Sequence, residues 1–294
     1  MLPRCHYTVP LPDTAPLQLG GRTLVMGIVN VTPDSFSDGG LCLDPDRAAE
    51  HALDLEADGA DLVDIGGEST RPGAAALSIQ DELARVVPVL ERLAGRVRVP
   101  VSIDTYKAEV ARVALDHGAA IVNDVSGLLY DPTLARVVAE RGAVLVLMHN
   151  RGRSRDMYGE AVYGDVGGEV ARELGDRIDV AINAGVARSR IIVDPGLGFA
   201  KRAEHTYAAL ATLGRLATLD RPMLVGPSRK SFLGWDGDGG PDDREWGTAA
   251  AVAAAVLEGA HIVRVHRVRE MLQVVRVADR IRAHGTEPEF VPAG

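Results

Sequence analysis

The chain has 294 residues, 46% of them hydrophobic and 25% charged, an ordinary globular composition that excludes a wholly disordered protein. A net charge of −9 argues against non-specific nucleic-acid binding, and two cysteines, Cys5 and Cys42, build no disulfide framework. Met1 to Tyr7 lacks the basic start and apolar core of a secretory signal, and the longest Ala/Val stretch, Ala249 to Leu257, is about half a membrane span. The expectation is a cytoplasmic protein with neither membrane nor nucleic acid as partner.

Residues 1–22 are Pro-rich and then read Leu17-Gln-Leu-Gly20-Gly21. A Gly-Gly pair between apolar runs predicts a small hairpin there, at the base of the main domain. Eight apolar, β-branched runs come next, at 23–29, 61–65, 98–103, 120–123, 143–148, 190–194, 222–226 and 260–265. Each ends in a cluster of Gly, Asp, Asn, Ser, Arg or His, and most lead into an amphipathic or Ala-rich stretch. Chemistry confined to the carboxyl ends of eight successive strands predicts a parallel β/α barrel, whose site is built on that face. The fold class expected is therefore α/β. A single eight-stranded TIM barrel spans 23–284, between an N-terminal arm and hairpin (1–22) and a tail (285–294).

Between the strands, Ile79, Leu83, Val86, Val87, Leu90 and Leu93 form a helical stripe with Ser78 as N-cap, and Pro88 should kink or break it. Val170, Leu174, Ile178 and Ile182 form another stripe. The Ala-rich 249–257 stretch packs closely against a neighbour, as core or as a dimer surface. Val31–Leu43 and Ser69–Leu77 read as long mobile loops. Gly234 to Asp243 reads as a solvated acidic loop, with a lid role as the alternative. Of 32 basic residues only Lys107, Lys201 and Lys230 are lysine, each just beyond a strand.

Asp104, Asn123 and Asp194 end three of the strands. They either read the hydrogen-bonding edge of a flat heterocycle or cap turns and helices, and spacing alone does not separate the two. Gly226-Pro-Ser228-Arg229-Lys230 and Arg264-Val-His266 follow the last two strands, a common phosphate site in barrels, which Arg71 and Asn30 could complete for an anion and a metal. The plainer reading of Arg264 and His266 is a surface ion pair. Asp194-Pro-Gly196-Leu-Gly198-Phe-Ala-Lys201 lacks the dinucleotide fingerprint, so no nicotinamide is expected.

Together these segments resemble the dihydropteroate synthase family. They are Gly27-Ile-Val-Asn30-Val-Thr-Pro-Asp-Ser-Phe-Ser-Asp38-Gly-Gly40, Asp64-Ile-Gly-Gly-Glu68-Ser-Thr-Arg71-Pro-Gly73, Ser102-Ile-Asp104-Thr105, Ile121-Val-Asn123-Asp-Val-Ser-Gly127, Asp194 to Lys201, Gly226 to Phe232 and Arg264-Val-His266, in family order across 27–266. The resemblance implies condensation of hydroxymethyl-dihydropterin pyrophosphate with p-aminobenzoate in folate synthesis, a homodimer and a Mg2+ requirement. It also implies roles. Asp104, Asn123, Asp194 and Lys230 would hold the pterin, with Met148 as a further wall. Arg264 would stack on the ring and, with His266 and Arg71, meet the pyrophosphate, and Asn30 would bind the metal. Thr70, Pro72, Phe199, Ser228 and Lys230 would form the aminobenzoate site. Asp38 would stabilise cationic charge at the pterin methylene.

The chain departs from the family pattern at Asn150-Arg151, where Met-Gln is usual, at Arg267, where the family has Asp, and at Thr206, where it has Asn. Two other readings keep the barrel: a pterin-binding methyltransferase module, and a pterin-binding paralogue without activity. The first would not need Ser69-Thr70-Arg71 or Ser228-Arg229-Lys230, and intact Asn30, Arg71 and Lys230 argue against the second. A phosphate-handling barrel isomerase is what fold alone would suggest.

Overall fold

The computed structural model describes residues 4–32, 44–69, 76–153, 158–235 and 240–285. Two short strands open it, β1 (Tyr7–Val9) and β2 (Leu17–Leu19), paired antiparallel with Tyr7 opposite Leu19. The expected hairpin exists, but its connection is 10–16 rather than Gly20-Gly21. The apolar runs flanking the glycine pair belong to different sheets. Gly20 instead forms the exit toward the barrel, with φ +110° and no room for a Cβ, which would stand 2.4 Å from the Cys5 carbonyl oxygen.

The main sheet comprises β3 (Leu24–Asn30), β4 (Leu62–Gly66), β5 (Val101–Asp104), β6 (Ile121–Asp124), β7 (Val144–Met148), β8 (Ile191–Asp194), β9 (Leu224–Val225) and β10 (Ile262–Val265). All adjacent strands run parallel, β10 lies between β3 and β9, and a parallel bridge from Val193 to Met223 closes the ring. The order is that of a β/α barrel, as the eight runs predict.

Helices alternate with the strands: α1 (Pro45–Ala57), α2 (Ile79–Leu93), α3 (Ala108–Asp116), α4 (Leu134–Arg141), α5 (Val166–Asn183), α6 (Ala203–Ala211), α7 (Glu245–Leu257) and α8 (Val268–Gly285). The Ser78 hydroxyl caps α2 by accepting from the Asp81 amide at 3.1 Å. The helix runs through Pro88 without a break, one of the two outcomes expected there. Val86, Val89, Leu90 and Leu93 are all buried, and packing on both sides of the proline outweighs one lost backbone bond.

Two apolar cores result from the alternation of strand side chains. Val25, Val63, Ile65, Ile103, Val122 and Leu145 face the helices. Leu24, Met26, Leu62, Ile121, Val146, Ile192 and Ile262 cluster instead with Val9, Leu11, Leu17 and Leu19 of the hairpin region. The barrel interior is thus filled in its lower half and plugged by the hairpin. Asp279 of α8 ties the two ends of the sequence together: it accepts from Arg4 Nη2 at 2.9 Å, from the Thr23 amide at 2.7 Å and from Thr23 Oγ1 at 2.8 Å.

Candidate active site

One step beyond the apolar floor, the inward positions change chemistry. Leu62 gives way to Asp64, Ile121 to Asn123, Ile192 to Asp194 and Ile262 to Arg264, and on β5 the already polar Ser102 is followed by Asp104. Parallel register sets them level: Asp104 pairs with Asn123, and Asp194 with Met148. A cavity of about 480 Å³ opens above, lined by Asn30, Asp104, Asn123, Met148, Asp194, Phe199, Ser228, Lys230, Arg264 and His266 among others. Every predicted site residue within the described part of the chain therefore converges on one cavity. Asp38, Thr70, Arg71 and Pro72 lie outside the described residues, as do most of the two long loops.

Asp64 is the hub of the floor. Its Oδ2 accepts from Asn123 Nδ2 at 2.9 Å and from Arg264 Nε at 2.6 Å, and Arg264 Nη2 reaches Asp104 Oδ2 at 2.9 Å. Arg264 is thus the centre of a buried charge array, not half of a surface ion pair. His266 is likewise turned inward, with Nδ1 2.9 Å from Ser228 Oγ and its amide donating to the same oxygen at 3.3 Å. Burial pushes the Asp104 carboxyl up to about 7, against the pull of Arg264.

Asp194 satisfies both readings of a strand-end carboxylate. Its Oδ1 accepts from the Gly196 amide at 2.7 Å, an Asx turn that starts the next loop, while the side chain lines the cavity. Burial raises its pKa, and Lys230 opposes the rise. The Lys230 ammonium donates to the Leu197 carbonyl and stands 4.7 Å from the centroid of the Phe199 ring. Burial lowers Lys230 to about 8, with Asp194 resisting.

Several site residues escape a reading of the sequence alone. Asp64 is one, although a carboxylate inside the apolar run Leu62-Val-Asp-Ile-Gly66 is a visible signal. Glu68 also lines the cavity, where it accepts from the Tyr106 hydroxyl at 2.9 Å and pairs with Lys107, which also meets Glu82. Lys107 therefore anchors the wall rather than facing a ligand. Pro241 and Arg244 line the cavity too, so one end of the expected solvated loop belongs to the site. Arg229, at φ +57°, pairs with Glu245 at 2.5 Å and secures its turn to α7.

The floor pairs carboxylates and an amide with one guanidinium and one ammonium, which suits a flat ring bearing an amidine-like edge. Among the described residues no three His, Cys, Asp or Glu side chains cluster as a metal cage. The Asn30 side chain at the cavity wall offers a single hard oxygen. That fits an ion such as Mg2+, which keeps several waters and takes most other ligands from a substrate's phosphates.

A family model described as pterin binding enzyme matches residues 26–266. The dihydropteroate synthase of Synechocystis is 45% identical over 278 residues, 94% of this chain and 96% of that protein. A crystal structure of the Yersinia pestis dihydropteroate synthase with a sulfonamide drug superposes with a TM-score of 0.88 at 40% identity, covering 95% of this chain and all of that one. The Burkholderia cenocepacia dihydropteroate synthase, complexed with 7,8-dihydropteroate, gives 0.84 at 40% identity, over 95% and 98% of the two chains.

Proposed function

The chain belongs to the pterin-binding enzymes, and from that premise we propose that it is a dihydropteroate synthase, joining hydroxymethyl-dihydropterin pyrophosphate to p-aminobenzoate with release of pyrophosphate in folate synthesis. The observation that carries the reading is the buried Asn123–Asp64–Arg264–Asp104 array facing one cavity with Asp194 and Lys230. Synthases with the same barrel at 40–45% identity support it.

Asp104, Asn123 and Asp194 bind the ring edge, Met148 and Arg264 contact its faces, and Lys230 closes the wall. His266, Arg71 and Arg264 meet the pyrophosphate. Asn30 would hold magnesium, which would supply positive charge to offset that of the departing group. The methylene C–O bond breaks, the arylamine nitrogen forms the new C–N bond, and that nitrogen loses a proton. No nucleophilic dyad is required, because positioning and electrostatics carry a reaction whose leaving group is a polyanion. Asp38 stabilises the cationic charge that appears at the methylene. Thr70, Pro72, Phe199, Ser228 and Lys230 receive the aminobenzoate.

The working form is a homodimer joined through α7 and α8. Trp246 on α7 is 87% exposed, and Val277 and Ile281 are exposed on α8, which packs against α7; these are apolar side chains on neighbouring helices that a partner would cover. The exposed thiol of Cys5 suits a reducing compartment, the cytoplasm. The deciding experiment incubates the protein with Mg2+, the pterin pyrophosphate and p-aminobenzoate. Dihydropteroate must appear; binding of both substrates without product would leave only a pterin-binding paralogue.

A further inference from the structure

Lys201 is 1% exposed, the largest fully buried side chain in the molecule's described part, and it does not line the cavity. Its ammonium has three donors and three acceptors: the Gly196 carbonyl at 3.1 Å, the Phe199 carbonyl at 3.1 Å and His149 Nδ1 at 2.8 Å. An Nδ1 that accepts leaves the proton on Nε2, which lies 3.0 Å from Glu173 Oε2. Burial, with Lys201 nearby, lowers His149 to about 4, in keeping with that neutral tautomer. Glu173 is in turn gripped by Arg151, one of the chain's departures from the family pattern.

The segment bound this way is the loop from Asp194 to Lys201. Three of its residues adopt positive φ: Gly196 at +64°, Gly198 at +78° and Ala200 at +46°. For Ala200 that conformation carries a strain the surroundings must offset. Four backbone acceptors of the loop are taken by side chains. Lys201 takes the carbonyls of Gly196 and Phe199, Lys230 takes Leu197, and Tyr163 donates to Ala200 at 2.9 Å. Arg151 lies 4.0 Å over the Tyr163 ring, so both grips lead back to α5 and its neighbourhood.

We propose that Lys201, oriented by His149 and Glu173, is a positioning residue that locks this loop in its strained form and thereby places Phe199 and the carbonyl that fixes Lys230. The role assigned to Phe199 rests on the synthase reading, under which it walls the aminobenzoate subsite. Lys201 itself touches neither substrate. Loss of its grip should therefore leave Asp64, Asp104, Asn123 and Arg264 in place on β4, β5, β6 and β10, reach the pterin only through Asp194 and Lys230, which the loop touches at Gly196 and Leu197, and loosen the arylamine subsite most.

The test uses Lys201→Met, matched in length and without the charge. Hydrogen exchange of peptides covering 195–201, whose Gly196, Gly198 and Phe199 amides are all bonded, should accelerate at least about tenfold. The KM for p-aminobenzoate should rise about tenfold, while the calorimetric Kd for the pterin pyrophosphate, held also by Asp104, Asn123 and Arg264, rises by clearly less, about threefold or under. The melting temperature should fall, because the Gly196 and Phe199 carbonyls and His149 Nδ1 lose their buried donor, so exchange in 195–201 is compared with that of the barrel strands to separate loop loosening from global loss. Unchanged exchange in 195–201, or equal losses for both substrates, overturns the proposal. If Lys201→Met does not fold, Glu173→Gln disturbs the same chain from its half-buried end and must speed exchange in the same segment; wild-type exchange there overturns the proposal equally. Failure of the wild-type protein to make product would sink the synthase reading instead, while the exchange measurement still decides the role of Lys201.

Discussion

Asp194 has one oxygen on the Gly196 amide and its carboxylate at the cavity, so its two duties can be separated. Asp194→Asn keeps an oxygen for the turn but loses the charge and one acceptor toward the ring. Pterin pyrophosphate affinity should fall by about 1–3 kcal/mol in calorimetry with little change in melting temperature. An unaltered affinity would remove Asp194 from ring recognition. Lys230 gives a pH prediction. Burial lowers it to about 8, so the charged form is present below that pH and is lost as pH rises through it. If the ammonium serves both substrates, kcat/KM should decline above about pH 8, an alkaline limb belonging to the free enzyme. A profile still flat well above that pH would show that the charge is not needed. At this scale the sequence is legible where a polar residue ends an apolar run. It is silent on partners: nothing in the spelling of Arg264 says that Asp64 and Asp104 hold it, because the strands that bring them together are about 160–200 residues apart.

At the scale of elements, the loop after β8 is the most constrained piece of the site. A Cβ at Gly196 would stand 2.0 Å from the His149 carbonyl oxygen, in a backbone conformation that already disfavours L side chains. Gly196→Ala should cost about 1–3 kcal/mol of stability in a urea titration and weaken aminobenzoate binding with it. A variant as stable as the parent would mean the loop relaxes freely. The strands are readable within three residues because each is a near-continuous apolar run buried on both faces. The hairpin turn is misplaced by the glycine rule because its true connection, Pro10 to Pro16, carries no two-residue signature, whereas Gly20 is required by the close approach of Cys5. At Pro88 only the possibility of a break fails, and for the opposite reason. A local rule against proline in helices is outweighed by buried residues on both sides, which the rule does not see.

For the whole molecule, the exposed apolar residues of α7 and α8 make the oligomeric state the natural measurement. Light scattering should give twice the chain mass, and Trp246→Glu with Val277→Glu should shift it toward the monomer. A monomeric wild type at micromolar concentration would contradict the dimer. The eight-fold architecture can be read from repetition alone, but closure cannot. It depends on β10 finding β3, with Ile262 beside Leu24, and on Asp279 reaching Arg4 and Thr23 from the far end of the chain. Such pairings across nearly the full sequence delay folding, since loop entropy is spent before the contact is made. A nascent polypeptide from which α8 has not yet emerged therefore lacks the clasp that Asp279 makes with Arg4 and with Thr23, just ahead of β3. Until residues 262–265 are free to pair, β3 keeps an open edge, and the rim of the site has neither Arg264 nor His266.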